Sequence, residues 1–190
     1  MKKTLLGIAF LLGVCLIAWV HQRYKARMAA TYEVRCANHM IQFASLLGRY
    51  VSQVKPRLPD RTDAGDCLAD LLRAVAPDEL EPDGKLAVVS SLACPDACAR
   101  NGTVGYRYVG AGLDASARRF IKTLVLFCPA ESHVGRHGHA LIGLDINDAT
   151  NTEMMALLRK AIEEGVSGKV PYTREAIEVM REELAKRMKL

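Results

Sequence analysis

Four side chains of the types that bind metal ions lie within twelve positions of one another in the second half of the chain: Cys128, His133, His137 and His139. Imidazole and thiolate groups at this spacing can bind zinc. The spacing matches no zinc motif with a known mechanism, however, and Gly135 and Gly138 are typical of a loop. We therefore interpret the segment as a polar surface loop, expect no metal there, and keep a zinc site as the alternative.

Cysteine is the second residue type that bears chemistry here. The chain has six cysteines, and five of them lie beyond residue 30. This density is typical of proteins from oxidising compartments, although an odd number cannot all pair within one chain. Three residues separate Cys94 from Cys98, where thioredoxin-like motifs have two, so a structural disulfide is favoured over redox catalysis. The connectivity stays open, and the disulfide candidates are Cys36, Cys67, Cys94, Cys98 and Cys128.

Sequence motifs for enzymatic chemistry are missing. The chain has no P-loop, no glycine-rich dinucleotide fingerprint and no serine nucleophile elbow. A pair formed by Cys128 and His137 lacks a recognisable third residue to orient it. We predict a non-enzymatic protein without a cofactor. The alternative is a membrane-anchored extracytoplasmic enzyme, dependent on a metal or a thiol and centred on Cys128, His133, His137 and His139.

The net charge of +5 does not belong to the folded domain. The first 30 residues hold five basic side chains and no acidic one, whereas residues 31–190 hold 21 of each sign. A domain without net charge has no electrostatic footprint for phosphate backbones. Nucleic acid is therefore not an expected partner.

The basic residues near the amino terminus flank an uncharged run, Thr4–Val20. Its 17 residues would form a helix of roughly 25 Å, at the lower limit for crossing a hydrocarbon core. The run lacks the small residues of a signal-peptidase site, which disfavours a cleaved secretory signal, and Trp19 and Tyr24 follow like an aromatic belt. We predict an uncleaved single-pass anchor in the inner (cytoplasmic) membrane. Membrane lipid is then one partner, and the head lies on the periplasmic or extracellular side.

A long helix is the element predicted to connect this anchor to the rest of the chain. Neither glycine nor proline occurs between Val14 and Leu47, and apolar residues spaced by three and four positions run from Ala29 to Val54. This spacing predicts one apolar stripe on an amphipathic helix. The simplest structure is a single helix from about Thr4 to Val54, and a kink near Gln22 is the alternative.

The remaining sequence predicts a small α+β head. A short helix is expected over Asp63–Ala76, and turn-forming residues separate the strand-like segments that follow. An antiparallel sheet is therefore expected. Two helices then close the chain, one over about Asn151–Glu164 that ends at Gly165 and one over Thr173–Lys189 with Thr173 as its N-cap. The four strand-like segments are Lys85–Leu92, Val104–Val109, Thr123–Phe127 and His139–Ile146.

The predicted fold class is α+β, with a long membrane-spanning helix packed on a sheet of about four strands and two C-terminal helices. The domain organisation has three parts. Residues 1–24 form the anchor, which continues into a helix to about residue 54. Residues 25–150 form the head, and residues 151–190 form a C-terminal helical extension.

This order of features resembles the type IV pilin and type II secretion pseudopilin superfamily: a basic start, an apolar span that runs into a long amphipathic helix, and a small antiparallel head. More specifically, the chain is similar to pilin-like proteins with a methylation-type amino-terminal helix, and this resemblance covers most of residues 4–146. The segments that carry it are Arg35–Phe43, Tyr50, Pro59, Cys94-Pro95, Tyr106-Arg107-Tyr108, His137-Gly138-His139 and Leu141–Asp145.

The chain departs from polymerising pilins at the residues they use for assembly. Those proteins carry a short leader and a glutamate at the fifth mature position, whereas the first acidic residue here is Glu33. The resemblance implies a non-enzymatic, membrane-anchored component of an envelope secretion or pilus-type assembly that acts through subunit contacts. Its implied partners are other pilin-like or secretion-system subunits, or further copies of itself.

Overall fold

The computed structural model describes residues 2–77, 94, 105–132 and 138–190. The chain divides into two compact units, Met1–Val34 and Arg35–Leu190. The first unit is helical, and the second combines helices with a sheet. The predicted three-part domain division stays a prediction.

The first helix, α1, covers Lys2–Gln53. No helix in the part of the chain that the structure describes is both long enough and apolar enough to cross a membrane. The apolar run Thr4–Val20 is shorter than the ~20 residues a span needs, and charged residues follow it from Arg23 onward. The predicted membrane-spanning helix and signal anchor, and the inner-membrane single-pass location with its outward-facing head, are therefore wrong.

Helix α2 covers Ala64–Val75 and confirms the helix predicted there. Asp63 is its N-cap, and the carboxylate accepts hydrogen bonds from the backbone of Gly65 and Asp66. The apolar face predicted from the spacing is buried, and it comprises Cys67, Leu68, Leu71, Leu72 and Val75.

In the part of the chain that the structure describes, four antiparallel strands form one sheet in the order β1-β2-β3-β4, as expected for the α+β class. Two of the predicted strand segments, Thr123–Phe127 and His139–Ile146, lie in the described residues. The segment Val104–Val109 does so except for Val104, and Lys85–Leu92 lies outside them. The count of four is reached because the last predicted segment folds into two strands. The strands are β1 at Arg107–Tyr108, β2 at Leu124–Phe127, β3 at Gly138–Ile142 and β4 at Asp145–Ala149.

The single strand predicted over His139–Ile146 is wrong, because a tight turn divides it. Ile142 pairs with Asp145, which leaves Gly143 and Leu144 as a two-residue hairpin turn. Gly143 has φ +61°, a value that favours glycine at the first central position of such turns. Glycine also avoids a steric clash at this position, since a Cβ there would lie 2.9 Å from the Cα of Ile121.

Replacing Gly143 by alanine is expected to lower the free energy of unfolding by about 2–4 kcal/mol, because left-handed strain and overpacking add. Gly168 provides a matched control, since it has φ +71° and no atom within 4 Å of a built Cβ. Gly168→Ala should lower the free energy of unfolding by only about 1–2 kcal/mol, because only the strain of the left-handed backbone conformation contributes. Urea unfolding of both variants measures the difference. Equal losses would show that the contact with Ile121 contributes nothing.

Two helices follow the sheet, α3 at Asn151–Val166 and α4 at Arg174–Arg187. Thr173 caps α4 as predicted and accepts a hydrogen bond from the backbone of Ala176. The predicted end of α3 at Gly165 is wrong, because the helix continues to Val166. Gly165 instead permits close packing: a Cβ there would lie 3.1 Å from side-chain atoms of Ile177 and Tyr172.

One hydrophobic core holds the second unit together. The part of α1 that belongs to this unit places its apolar stripe in that core, with Met40, Phe43 and Leu47 fully buried. All four residues of β2 are buried, as expected of a central strand covered on both faces. Cys36 extends the same helical stripe, and Cys128 follows β2 directly, so both cysteines are carried into the core.

Candidate functional site

A cluster of three cysteines lies in the core of the second unit. Cys36 comes from α1, Cys128 follows the end of β2, and Cys94 comes from between α2 and β1. All three side chains have 0% exposure. Sequence reasoning named all three as disulfide candidates, and Cys128 also as a candidate metal ligand beside histidines, but did not predict that the three cysteines meet.

The sulfur atoms of this cysteine cluster are close together. The Sγ atom of Cys36 lies 3.4 Å from that of Cys128 and 3.7 Å from that of Cys94, and all three atoms fall within 4.8 Å of one another. The Tyr106 hydroxyl lies 3.6 Å from the Cys36 sulfur and donates a hydrogen bond of 3.1 Å to the Cys36 carbonyl oxygen. Three sulfurs at this spacing can hold one metal ion, and the tyrosine fixes the helix that presents one of them.

Burial and neighbouring groups keep the thiols of Cys36 and Cys128 protonated when no cation is bound. Burial raises the pKa of Cys128 well above its usual value. The contact with Cys128 lowers the pKa of Cys36, but the contact with Cys94 and burial outweigh it, so that pKa is raised too. A buried neutral thiol is a poor nucleophile. The cluster therefore has the properties of a ligand set or a packing element rather than of a reactive cysteine.

A buried ion pair on α4 holds the chain just beyond β2. Arg187 Nη2 donates a hydrogen bond of 2.6 Å to the carbonyl oxygen of Cys128, and the backbone N–H of Ala130 donates to Glu183. The two side chains pair with each other at 3.0 Å, with exposures of 6% and 1%. This Arg187–Glu183 clamp fixes the backbone at Cys128, whose sulfur belongs to the cysteine cluster. Their i,i+4 spacing was readable in the sequence, but their burial was not.

Of the three histidines predicted beside Cys128, His139 lies in the described residues. His133 and His137 lie outside the described residues. His139 lies in β3 rather than in a loop, and its Nε2 is 3.2 Å from Oδ1 of Asp148, its cross-strand partner in β4. The sulfur of Cys128 instead contacts that of Cys36.

The other cysteines have different surroundings. Cys67 is fully buried on α2. Cys15 is exposed in the first unit, and Cys98 lies outside the described residues. Cys67 thus serves as an internal comparison for the cysteine cluster, equally buried but outside it.

The first unit presents an exposed apolar helix surface. Seven of its large apolar side chains from residue 14 onward are about half to three-quarters exposed: Val14, Leu16, Ile17, Trp19, Val20, Tyr24 and Val34. Arg23 lies over the Trp19 ring at 4.8 Å from its centre. An exposed apolar surface with this many large side chains is typical of an interaction site.

No family model, curated protein or solved structure matches this chain. The resemblance to pilin-like proteins therefore rests on the sequence features given above and stays a prediction. The exposed helix and the cysteine cluster are the two features from which function can be inferred.

Proposed function

We propose that the protein is a non-enzymatic, pilin-like or pseudopilin-like component of a secretion or pilus-type assembly, and that it acts through contacts between subunits. The observation that carries this proposal is the exposed apolar surface of α1 in the first unit. The partner we propose for this surface is the same helix in further copies of the chain.

The distribution of the apolar residues around α1 favours contacts with several neighbouring helices rather than with one. At about 100° per residue, Val14, Trp19 and Val20 point in directions roughly 120° apart around the helix axis. A helix that is apolar on all sides is typically buried among other elements, whereas one that packs on a single partner has one apolar stripe. Contacts on several sides are what a bundle of equivalent helices provides.

The charges of the first 30 residues favour the same arrangement. Thr4–Val20 has no charged side chain, so neighbouring copies can pack along it without burying a charge. The basic side chains stand at its ends, at Lys2 and Lys3 and from Arg23 onward, where they can stay in solvent. An axial stagger between copies keeps these like charges apart, and staggered, head-to-tail contacts produce open assemblies rather than closed dimers.

Native Cys15 tests this proposal, because it is exposed between Val14 and Leu16 of the apolar surface. A bis-maleimide should join neighbouring copies of the purified full chain into a covalent dimer, and Cys15→Ser should abolish that product. Sedimentation at increasing concentration should show a series of species beyond the dimer. A chain that stays monomeric at all concentrations, or whose association stops at a dimer, would contradict the proposal.

Two isoleucines of similar exposure give the matched control. Ile17 is 71% exposed in the first unit, and Ile121 is 65% exposed in the second. Ile17→Glu should weaken association by about tenfold to a hundredfold, since burying an isoleucine contributes about 1.5–3 kcal/mol. Ile121→Glu should leave association unchanged. An equal effect of both variants would mean that the helix of the first unit is not the contact.

A further inference from the structure

We propose that Cys36, Cys94 and Cys128 bind one soft, thiolate-preferring metal ion, Zn²⁺ or Cu⁺, inside the second unit. This site is independent of the subunit contacts proposed above, because all three residues belong to the unit that does not carry the exposed helix surface. It also differs from the zinc site that the histidine spacing offered, since Cys128 is the only residue common to both.

The spacing of the sulfur atoms fits a metal centre. A Zn–S bond is about 2.3 Å, so thiolates at the corners of a tetrahedron around zinc lie about 3.8 Å apart. The two distances measured from Cys36 are 3.4 and 3.7 Å, and the third pair lies within 4.8 Å. Small rotations of the three side chains therefore suffice to surround an ion.

The chemistry of the donor set selects the class of ion. Thiolate ligands prefer zinc and copper(I) over calcium, magnesium or manganese, which take oxygen ligands. The described residues supply three sulfur ligands, a complete set for trigonal Cu⁺. Zn²⁺ would take a fourth ligand, for which the Tyr106 hydroxyl, 3.6 Å from the Cys36 sulfur, is placed.

Binding exchanges protons for the cation. Each thiol that becomes a ligand releases its proton to solvent, and the sulfur then donates an electron pair to the metal. Three thiolates around Zn²⁺ leave a net charge of −1. The guanidinium of Arg187, which donates to the Cys128 carbonyl oxygen, brings positive charge beside that ligand.

The two other interpretations of three clustered cysteines explain the geometry less well. Cysteines that serve only as small apolar packing residues need not converge, and Cys67 is equally buried outside the cluster. A disulfide would use two of the three sulfurs and leave the third beside them without a function. A single metal ion uses all three.

The metal content of the reduced, purified full chain tests the proposal. Chelator-stripped protein is titrated with Zn²⁺ and, under anaerobic conditions, with Cu⁺, each in competition with a chromophoric chelator. We expect one ion per chain for at least one of the two metals. Co²⁺ substituted for Zn²⁺ should give thiolate-to-metal charge-transfer absorption, and the bound metal should raise the melting temperature.

Serine replacements identify the ligands. Cys36→Ser, Cys94→Ser and Cys128→Ser should each lose stoichiometric binding, whereas Cys67→Ser should keep it. Circular dichroism shows which variants fold. If a variant does not fold, the stoichiometry, charge-transfer and melting measurements on the unaltered chain still test the proposal. Absence of both metals from the reduced chain, or equal loss in Cys67→Ser, would overturn it. So would a disulfide within the cluster whose reduction does not restore binding.

Discussion

Replacing Arg187 by leucine is expected to lower the free energy of unfolding of the second unit by about 3–5 kcal/mol. The change leaves the carboxylate of Glu183, whose side chain is 1% exposed, inside the protein without its cation. It also removes the hydrogen bond to the Cys128 carbonyl oxygen. Burial raises the pKa of Glu183 and lowers that of Arg187, and the charge of each side chain partly offsets the shift in the other. Urea unfolding measures the loss.

A neighbouring pair on α4 provides the control. Arg181 and Glu178 form an ion pair at 2.8 Å, but both side chains are about half exposed. Arg181→Leu should change stability by no more than about 0.5 kcal/mol. In a double-mutant cycle, Glu183→Leu and Arg187→Leu should be coupled by about 1–3 kcal/mol. Additive losses from these two changes would show that the buried pair contributes no interaction of its own.

The second unit is expected to lose stability steeply as pH rises above 9. Burial raises the pKa of Cys67 above its ordinary value of 9.0 and the pKa values of Tyr108 and Tyr172 above 10.0. The folded chain therefore keeps these protons at pH values at which the unfolded chain releases them. Each group lowers the free energy of unfolding by about 1.4 kcal/mol per pH unit, from the ordinary pKa upward.

Single variants separate these contributions. Between pH 9 and 10, Cys67→Ala should unfold with a pH slope shallower than that of the unaltered chain by about 1.4 kcal/mol per unit. Tyr172→Phe should show the same difference only above pH 10, and at neutral pH it should lose about 1 kcal/mol with its hydrogen bond to Leu124. Free energies from urea unfolding across this range give the slopes. Identical slopes for all three chains would mean that these groups titrate alike in the folded and unfolded states.

Local features of the fold could be predicted where one residue type determines the conformation. Asp63 and Thr173 begin helices because their side-chain oxygens accept hydrogen bonds from backbone N–H groups of the first turn. This interaction is local, since donor and acceptor are at most three positions apart in the sequence. The buried face of α2 followed from its spacing for the same reason. Gly143 was harder, since a glycine within an apolar run is compatible with a strand, a bulge or a turn until its pairing is known.

The cysteine cluster could not be predicted because its residues are far apart in the chain. Cys36 is separated from Cys94 by 58 positions and from Cys128 by 92. The apolar stripe of α1 placed Cys36 in the core, but nothing local indicates which other cysteines lie opposite it. The alternative zinc site joined Cys128 to histidines that are close in sequence, whereas the cysteine cluster depends on closeness in space.

The hairpin turn at Gly143 has a consequence for the order in which the second unit folds. The two residues of this turn bring β3 and β4 together at little cost in loop entropy, and a short connection likewise joins α3 to α4. Closing the chain between Cys36 and Cys128 requires a far longer loop. We therefore expect the hairpin and the C-terminal helix pair to form early and the docking of α1 onto them to limit the folding rate.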